Sequence, residues 1–144
     1  MVWGAIKYDG TRALMKCDKS VTSEEYQRIL DVGLLPMYRP NELLQQDGAP
    51  CHRSKKNFEF LKKSKINVVL DWPAQSPDLN IIEPLWKIMK ENVAKRKPKN
   101  LDEVWEYCQD EWEKIPTEKI QVLYESLPKR IRAVLDTKAS HKKY

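Results

Sequence analysis

Two acidic residues stand where the backbone has to change character abruptly. Asp47 follows the apolar run Leu43-Leu44-Gln45-Gln46 and precedes Gly48-Ala49-Pro50, while Glu83 comes out of a proline-rich loop and has Pro84 behind it. The first placement is the end of a strand followed by a turn; the second is the opening turn of a helix. Few architectures deliver one acid from a strand end and another from a helix start. They are built from short strands alternating with helices.

The remaining pattern fits that frame. Val2 to Tyr8 and Arg12 to Cys17 flank Asp9-Gly10-Thr11, which predicts a β-hairpin. Thr22-Ser23-Glu24-Glu25 supplies an N-cap for a helix running to about Leu35, with Pro36 and Pro40 ending it. A short strand is expected over Leu43–Gln46, then a helix from about His52 to Ser64 that buries Phe58 and Leu61. Ile66-Asn67-Val68-Val69-Leu70 is expected as a buried strand parallel to the previous one. After the loop at 71–79 come helices over 80–95, 101–114 and 117–136. The last has apolar residues at Ile120, Leu123, Leu127 and Ile131, with Pro128 expected to kink or divide it. The order ββα-βα-βα followed by two helices makes an α/β sandwich with helices appended at the C-terminus. Residues 1–99 are expected to form its core and residues 100–144 a helical extension of the same domain.

With 144 residues the chain can bury a real core, and no stretch approaches the roughly 20 apolar residues of a membrane helix. The start Met1-Val2-Trp3-Gly4-Ala5-Ile6 lacks the layout of a signal peptide. Cys17, Cys51 and Cys108 are odd in number and widely spaced, so they read as free thiols in a reducing compartment.

The net charge of +5 is unevenly distributed. Residues 1–46 carry 6 basic and 6 acidic side chains, residues 47–99 carry 12 and 6, and residues 100–144 carry 8 and 9. The excess positive charge therefore lies in the segment that holds both acids. An acidic pair inside a basic segment suits a polyanion gripped by its phosphates and handled by divalent metals; a solvated lysine-rich face is the plainer alternative.

Each residue also carries a plainer reading. Asp47 before Gly48 is ordinary turn chemistry, and Asn80-Ile81-Ile82-Glu83 has the spacing of a capping box. Asp78 and Asn80 are expected to close the loop and cap the helix. His52 is a candidate phosphate donor or a structural group at a helix start. Trp72, Trp86, Trp105 and Trp112 either stack on unpaired bases or pack in the core. Lys95-Arg96-Lys97-Pro98-Lys99 is either a nuclear import signal or a basic helix C-terminus favoured by the helix dipole.

At Gln46-Asp47-Gly48-Ala49-Pro50-Cys51-His52 and at Ser76-Pro77-Asp78-Leu79-Asn80-Ile81-Ile82-Glu83-Pro84-Leu85-Trp86 the chain resembles the catalytic domain of the Tc1/mariner superfamily of transposases. Met1-Val2-Trp3-Gly4-Ala5-Ile6 and Trp72-Pro73 add to the likeness. The resemblance implies an RNase H-like mixed sheet flanked by helices, and a triad of acids binding two Mg²⁺ or Mn²⁺ ions. Asp47 would be the second acid and Glu83 the third, with 35 residues between them (48 through 82). It further implies metal-dependent cleavage of transposon ends and strand transfer into target duplex DNA, a nuclear location, and a second copy of the chain as a candidate partner. His52, Lys55, Lys56, Lys87, Lys90, Lys95, Arg96 and Lys97 are the candidate DNA contacts.

In the family the first acid lies on a central strand before the segment matching Met1-Val2-Trp3-Gly4. The expectation is therefore of an N-terminally truncated domain, lacking that strand and acid and inactive alone. Asp9, in a hairpin turn, and Asp18, beyond the second strand, are displaced from that position. The competing expectation is a catalytically dead, domesticated or relic module that only binds nucleic acid.

Overall fold

The computed structural model describes residues 1–17, 20–69, 72 and 79–141, with the backbone alone for residues 137–141. Two compact units emerge. One comprises Met1–Ile6 with Thr11–Ser76, and the other Lys7–Gly10 with Pro77–Tyr144. The boundary expected between residues 99 and 100 falls inside the second unit, because the helix carrying Glu83 packs on the one that follows it.

In the first unit, β1 (Val2–Ile6) and β2 (Arg12–Lys16) pair antiparallel, with Val2 opposite Lys16 and Ile6 opposite Arg12. Helix α1 (Ser23–Ile29) starts where Thr22 Oγ1 accepts the Glu25 amide at 3.2 Å, the N-cap expected from the sequence. It continues as a π-helical turn over Leu30–Leu34. That wider turn brings Gly33 against the hairpin, where a Cβ would lie 2.8 Å from the Trp3 ring. β3 (Leu43–Leu44) and β4 (Asn67–Val68) pair in parallel, joined by α2 (Lys55–Lys63). The core gathers Tyr26, Leu30, Leu34, Leu61 and Ile66, with Trp3, Leu44 and Val68 packed against it.

Three expectations change here. Both strands are shorter than the sequence suggested, each contributing two ladder residues in place of four or five. Ile66 is buried, but Asn67 is exposed and Val68 and Val69 are half-buried, so β4 is not a wholly buried strand. Helix α2 begins after Ser54 and presents Asn57 and Leu61 inward, leaving Phe58 45% exposed. One position of phase separates Asn57 from Phe58, and the fully buried Asn57 takes the inner place because its hydrogen bonds are met there.

The second unit is helical: α3 (Glu83–Lys95), α4 (Leu101–Glu113) and α5 (Thr117–His141). Leu85, Met89 and Val93 form the buried stripe of α3, and Trp86 stacks on the fully buried Trp112 of α4 at 4.7 Å. Asn100 caps α4 by accepting the Asp102 and Glu103 amides at 3.0 and 2.9 Å. Arg96, at the end of α3, reaches Asp110 at 2.9 Å and lies 3.6 Å above the Tyr107 ring. Helix α5 runs through Pro128 as one element, not divided as the proline suggested; Pro128 sits on its solvent side. Ile120 and Leu123 are buried, whereas Ile131 is exposed. The hairpin turn packs on α5: Tyr8 donates to Glu125 at 3.0 Å, and Gly10, at φ +88°, lies where a side chain would run into Thr117.

Candidate functional site

Asp47 leaves β3 through Gln45 and Gln46 and folds into a turn of its own making. Its Oδ1 accepts the Ala49 amide at 3.0 Å, the short-range bond by which an aspartate closes a turn. The same oxygen lies 2.7 Å from Nδ1 of His52, an ion-pair distance. Nδ1 also lies 3.2 Å from the Asp47 carbonyl. Two acceptors facing one nitrogen require that nitrogen to carry a proton, whatever the charge of the ring.

His52 is held in turn. Its side chain is only 15% exposed, against 58% for Asp47, and its ring rests on Tyr26 with centroids 4.4 Å apart. Tyr26 donates its hydroxyl to Oε1 of Gln46, the residue before Asp47. Burial pushes the Tyr26 phenol well above its ordinary range, and the nearby Cys51 and Asp47 add to the rise. Burial also raises the Cys51 thiol, which favours its protonated form.

The loop is anchored by a residue that sequence reasoning missed. Asn57 donates from Nδ2 to the Cys51 carbonyl at 2.6 Å and accepts from Gln27 Nε2 at 2.9 Å. The Asn57 amide meets Ser54 Oγ at 3.3 Å, and Ser23 Oγ lies 3.0 Å from that same oxygen. The available signal was Ser54-Lys55-Lys56-Asn57, a capping serine with an amide three residues on, where an inward stripe calls for an apolar residue.

Glu83 is placed differently. It is the first residue of α3, with Pro84 next, and its amide donates to the Asn80 carbonyl at 3.3 Å. Asn80 Oδ1 accepts the Ile82 amide at 3.3 Å, so Asn80 turns the chain before α3 without making the expected capping box. Among the described residues nothing bonds the Glu83 carboxylate, and it is exposed to solvent. Helical spacing puts it on one outer face with Lys87, Lys90 and Glu91; Lys87 and Glu91 are 4.0 Å apart. Asp78 and residues 73–77 lie outside the described residues.

The other basic candidates divide by occupation. Lys55 and Lys56 open α2, and Lys56 is paired with Glu24, which holds the Glu24 carboxyl below its usual range. Lys95 donates to Asn92 at 3.3 Å. Arg96 is engaged by Asp110 and Glu111, whereas Lys97 is exposed on a left-handed backbone at φ +52°. Of the four candidate tryptophans, Trp112 is wholly buried and Trp72, Trp86 and Trp105 are half-buried.

The donor chemistry fits a hard divalent cation. The contacts of the Asp47 carboxylate with the described residues fall on Oδ1, so Oδ2 is open to a cation, and Glu83 offers an unbonded carboxylate. Among the described residues no three His, Cys, Asp or Glu cluster together. A Mg²⁺ ion commonly takes only one or two protein carboxylates and completes its shell with water and substrate phosphates.

The sequence profile of the DDE superfamily endonucleases matches residues 1–105. The chain is 33% identical over its whole length to the Tcb2 transposase of Caenorhabditis briggsae, and 30% identical over the same span to the Tc1 transposase of Caenorhabditis elegans. It is also 33% identical over 97% of its length to the Tc3 transposase of Caenorhabditis elegans. It spans about half of these proteins: 54% of Tcb2 and Tc1 and 44% of Tc3. In fold it matches the Mos1 transposase catalytic domain solved with raltegravir and Mg (TM-score 0.78, 22% identity, 99% of this chain and 75% of that one). The same domain with raltegravir and Mn gives a TM-score of 0.75 at 22% identity. The chain belongs to the DDE superfamily endonucleases, in the Tc1/mariner group of transposases. The expected α/β class holds, with the fold of the Mos1 catalytic domain.

Proposed function

We propose that this chain is part of the catalytic domain of a Tc1-like transposase, and that Asp47 and Glu83 are two carboxylate ligands of its divalent-metal site for DNA cleavage and strand transfer. The observation that carries the reading is the family match over residues 1–105, a span that contains both acids in their motifs. Mg²⁺ or Mn²⁺ would, when bound, activate a nucleophile and neutralise charge developing at phosphorus. The chain's own residues have separate tasks. Asp47 Oδ2 and the Glu83 carboxylate supply hard oxygen ligands. Lys87 and Lys90, on the outer face that starts at Glu83, grip backbone phosphates of the transposon ends and target duplex. Lys55 and Lys97 extend the phosphate contacts. A second copy of the chain is the proposed protein partner. Nuclear residence belongs to the same proposal and rests on Lys95-Arg96-Lys97-Pro98-Lys99; a fluorescent fusion that stays nuclear after Lys95→Ala and Lys97→Ala would refute that basis.

The test is Mn²⁺ titration of the 144-residue chain beside Asp47→Asn and Glu83→Gln. The wild-type chain should bind, and each variant should lose at least tenfold in affinity. Two variants that bind as well as wild type would end the reading.

One observation favours a second reading, DNA binding without catalysis: residues 47–99 carry 12 basic and 6 acidic side chains, an excess that grips phosphates with no metal. It predicts salt-sensitive binding to any duplex sequence, unchanged by Asp47→Asn or Glu83→Gln, together with no Mg²⁺-dependent nicking. Nicking by the chain that is lost in Asp47→Asn excludes it.

A further inference from the structure

Asp47 is exposed and sits in a loop, which by itself is a poor way to hold a metal ligand. A free aspartate side chain samples several rotamers, and a ligand that must be ordered on binding weakens the site. Here the order is supplied beforehand. We infer that His52 is the positioning residue for Asp47: its Nδ1–H holds Oδ1 in place and thereby presents Oδ2 as the ligand oxygen. The inference rests on the proposed role of Asp47 in metal binding and adds the group that makes it effective.

The geometry supports this from both sides of the imidazole. Toward Asp47, Nδ1 contacts Oδ1 at 2.7 Å and the Asp47 carbonyl at 3.2 Å, so one donor fixes both the side chain and the backbone of the same residue. With the Ala49 amide donating to Oδ1 at 3.0 Å, rotation of the carboxylate would break that bond and the Nδ1 contact together. Away from Asp47, the ring lies on Tyr26, whose hydroxyl bonds Gln46. The backbone behind His52 is pinned by Asn57 on the Cys51 carbonyl at 2.6 Å. With its side chain only 15% exposed, His52 turns its Nδ1 toward Asp47. Outer groups that orient a metal ligand commonly contribute about 10- to 100-fold to metal affinity.

The experiment measures Mn²⁺ affinity of the full chain by water-proton relaxation, alongside its thermal unfolding. His52→Phe keeps a ring against Tyr26 and removes the donor. It should weaken Mn²⁺ binding about tenfold or more while the melting temperature stays near that of wild type. His52→Gln restores an N–H donor and should bind within about threefold of wild type. Should the phenylalanine destabilise the loop, His52→Ala against His52→Gln gives the same comparison. A phenylalanine variant that binds like wild type, or a glutamine variant as weak as the phenylalanine one, overturns the inference. Asp47→Asn separates the two levels. If it abolishes Mn²⁺ binding while His52→Phe does not, only the positioning role fails; if it changes nothing, or the wild-type chain binds no Mn²⁺, the functional reading fails and the positioning role with it.

Discussion

Asp47 and Glu83 are the same chemical kind of group set in opposite surroundings. Asp47 lies in a loop and is held by its neighbours: the Ala49 amide and His52 on one oxygen, with Tyr26, Gln46 and Asn57 behind them. Glu83 has no such bonds among the described residues and takes its position from the helix it begins, whose other face is locked by Trp86 on Trp112. A loop has to build order with side-chain hydrogen bonds, whereas a helix's first turn inherits it from backbone and packing. The two acids should therefore respond to different mutations.

The largest effect is expected from Trp112→Ala. Removing a fully buried indole should cost roughly 3–5 kcal/mol in denaturant unfolding and loosen the helix that carries Glu83. Hydrogen exchange at the amides of α3 should rise more than at those around Asp47; equal rises would mean that the two acids share one support.

Asn57→Ala is the counterpart for the loop. It orphans the Cys51 carbonyl and leaves Gln27 Nε2 only its bond to the Lys56 carbonyl, and should cost roughly 2–3 kcal/mol. Mn²⁺ affinity should fall with it if the loop sets the Asp47 geometry.

The raised Tyr26 phenol gives the loop a pH signature. The folded chain keeps that proton above the ordinary tyrosine value of 10.0, whereas the unfolded chain releases it. The unfolded state then binds fewer protons, so this contribution to stability is intact below pH 10 and declines as pH rises beyond it, at up to about 1.4 kcal/mol per pH unit. Urea unfolding of Tyr26→Phe should show a shallower decline above pH 10 than wild type. Matching declines would place the phenol in contact with water.

The smallest effects separate the acids themselves. Asp47→Asn should cost about 1 kcal/mol from its weakened bonds to His52, and Glu83→Gln less than about 0.5 kcal/mol, both read by chemical denaturation. A larger cost at Glu83 would reverse the comparison. On DNA, Lys90→Ala should reduce the salt dependence of binding by about one phosphate contact and leave Mn²⁺ affinity unchanged.

Much of this was legible in local sequence because it is encoded locally. The Asp9-Gly10-Thr11 hairpin and the Thr22 cap depend on a few adjacent residues, and both are present, whereas the helix expected from about residue 80 begins at Glu83. The parallel pairing of β3 with β4 followed from a helix between two apolar runs. The length of those strands was not legible, since a ladder extends only as far as its partner and Leu43–Leu44 offers two positions. Nor was the phase of α2. Asn57 and Phe58 are neighbours in sequence, and an apolar pattern favours the phenylalanine for the interior. The carbonyl of Cys51 and the amide of Gln27 decide otherwise, and neither is near in the periodicity that a helix displays.

The sequence by itself determined the order of elements and the family, because motifs of adjacent residues carry those, and it singled out Asp47 and Glu83 as candidates. Tertiary structure decided how Asp47 is held. The ring of His52 against Tyr26, 26 positions earlier in the chain, and the bond from Gln27 to Asn57 exist only once α1 and α2 have packed together. Buried polar groups must find partners wherever folding brings them, and that demand selects contacts between residues far apart in the chain.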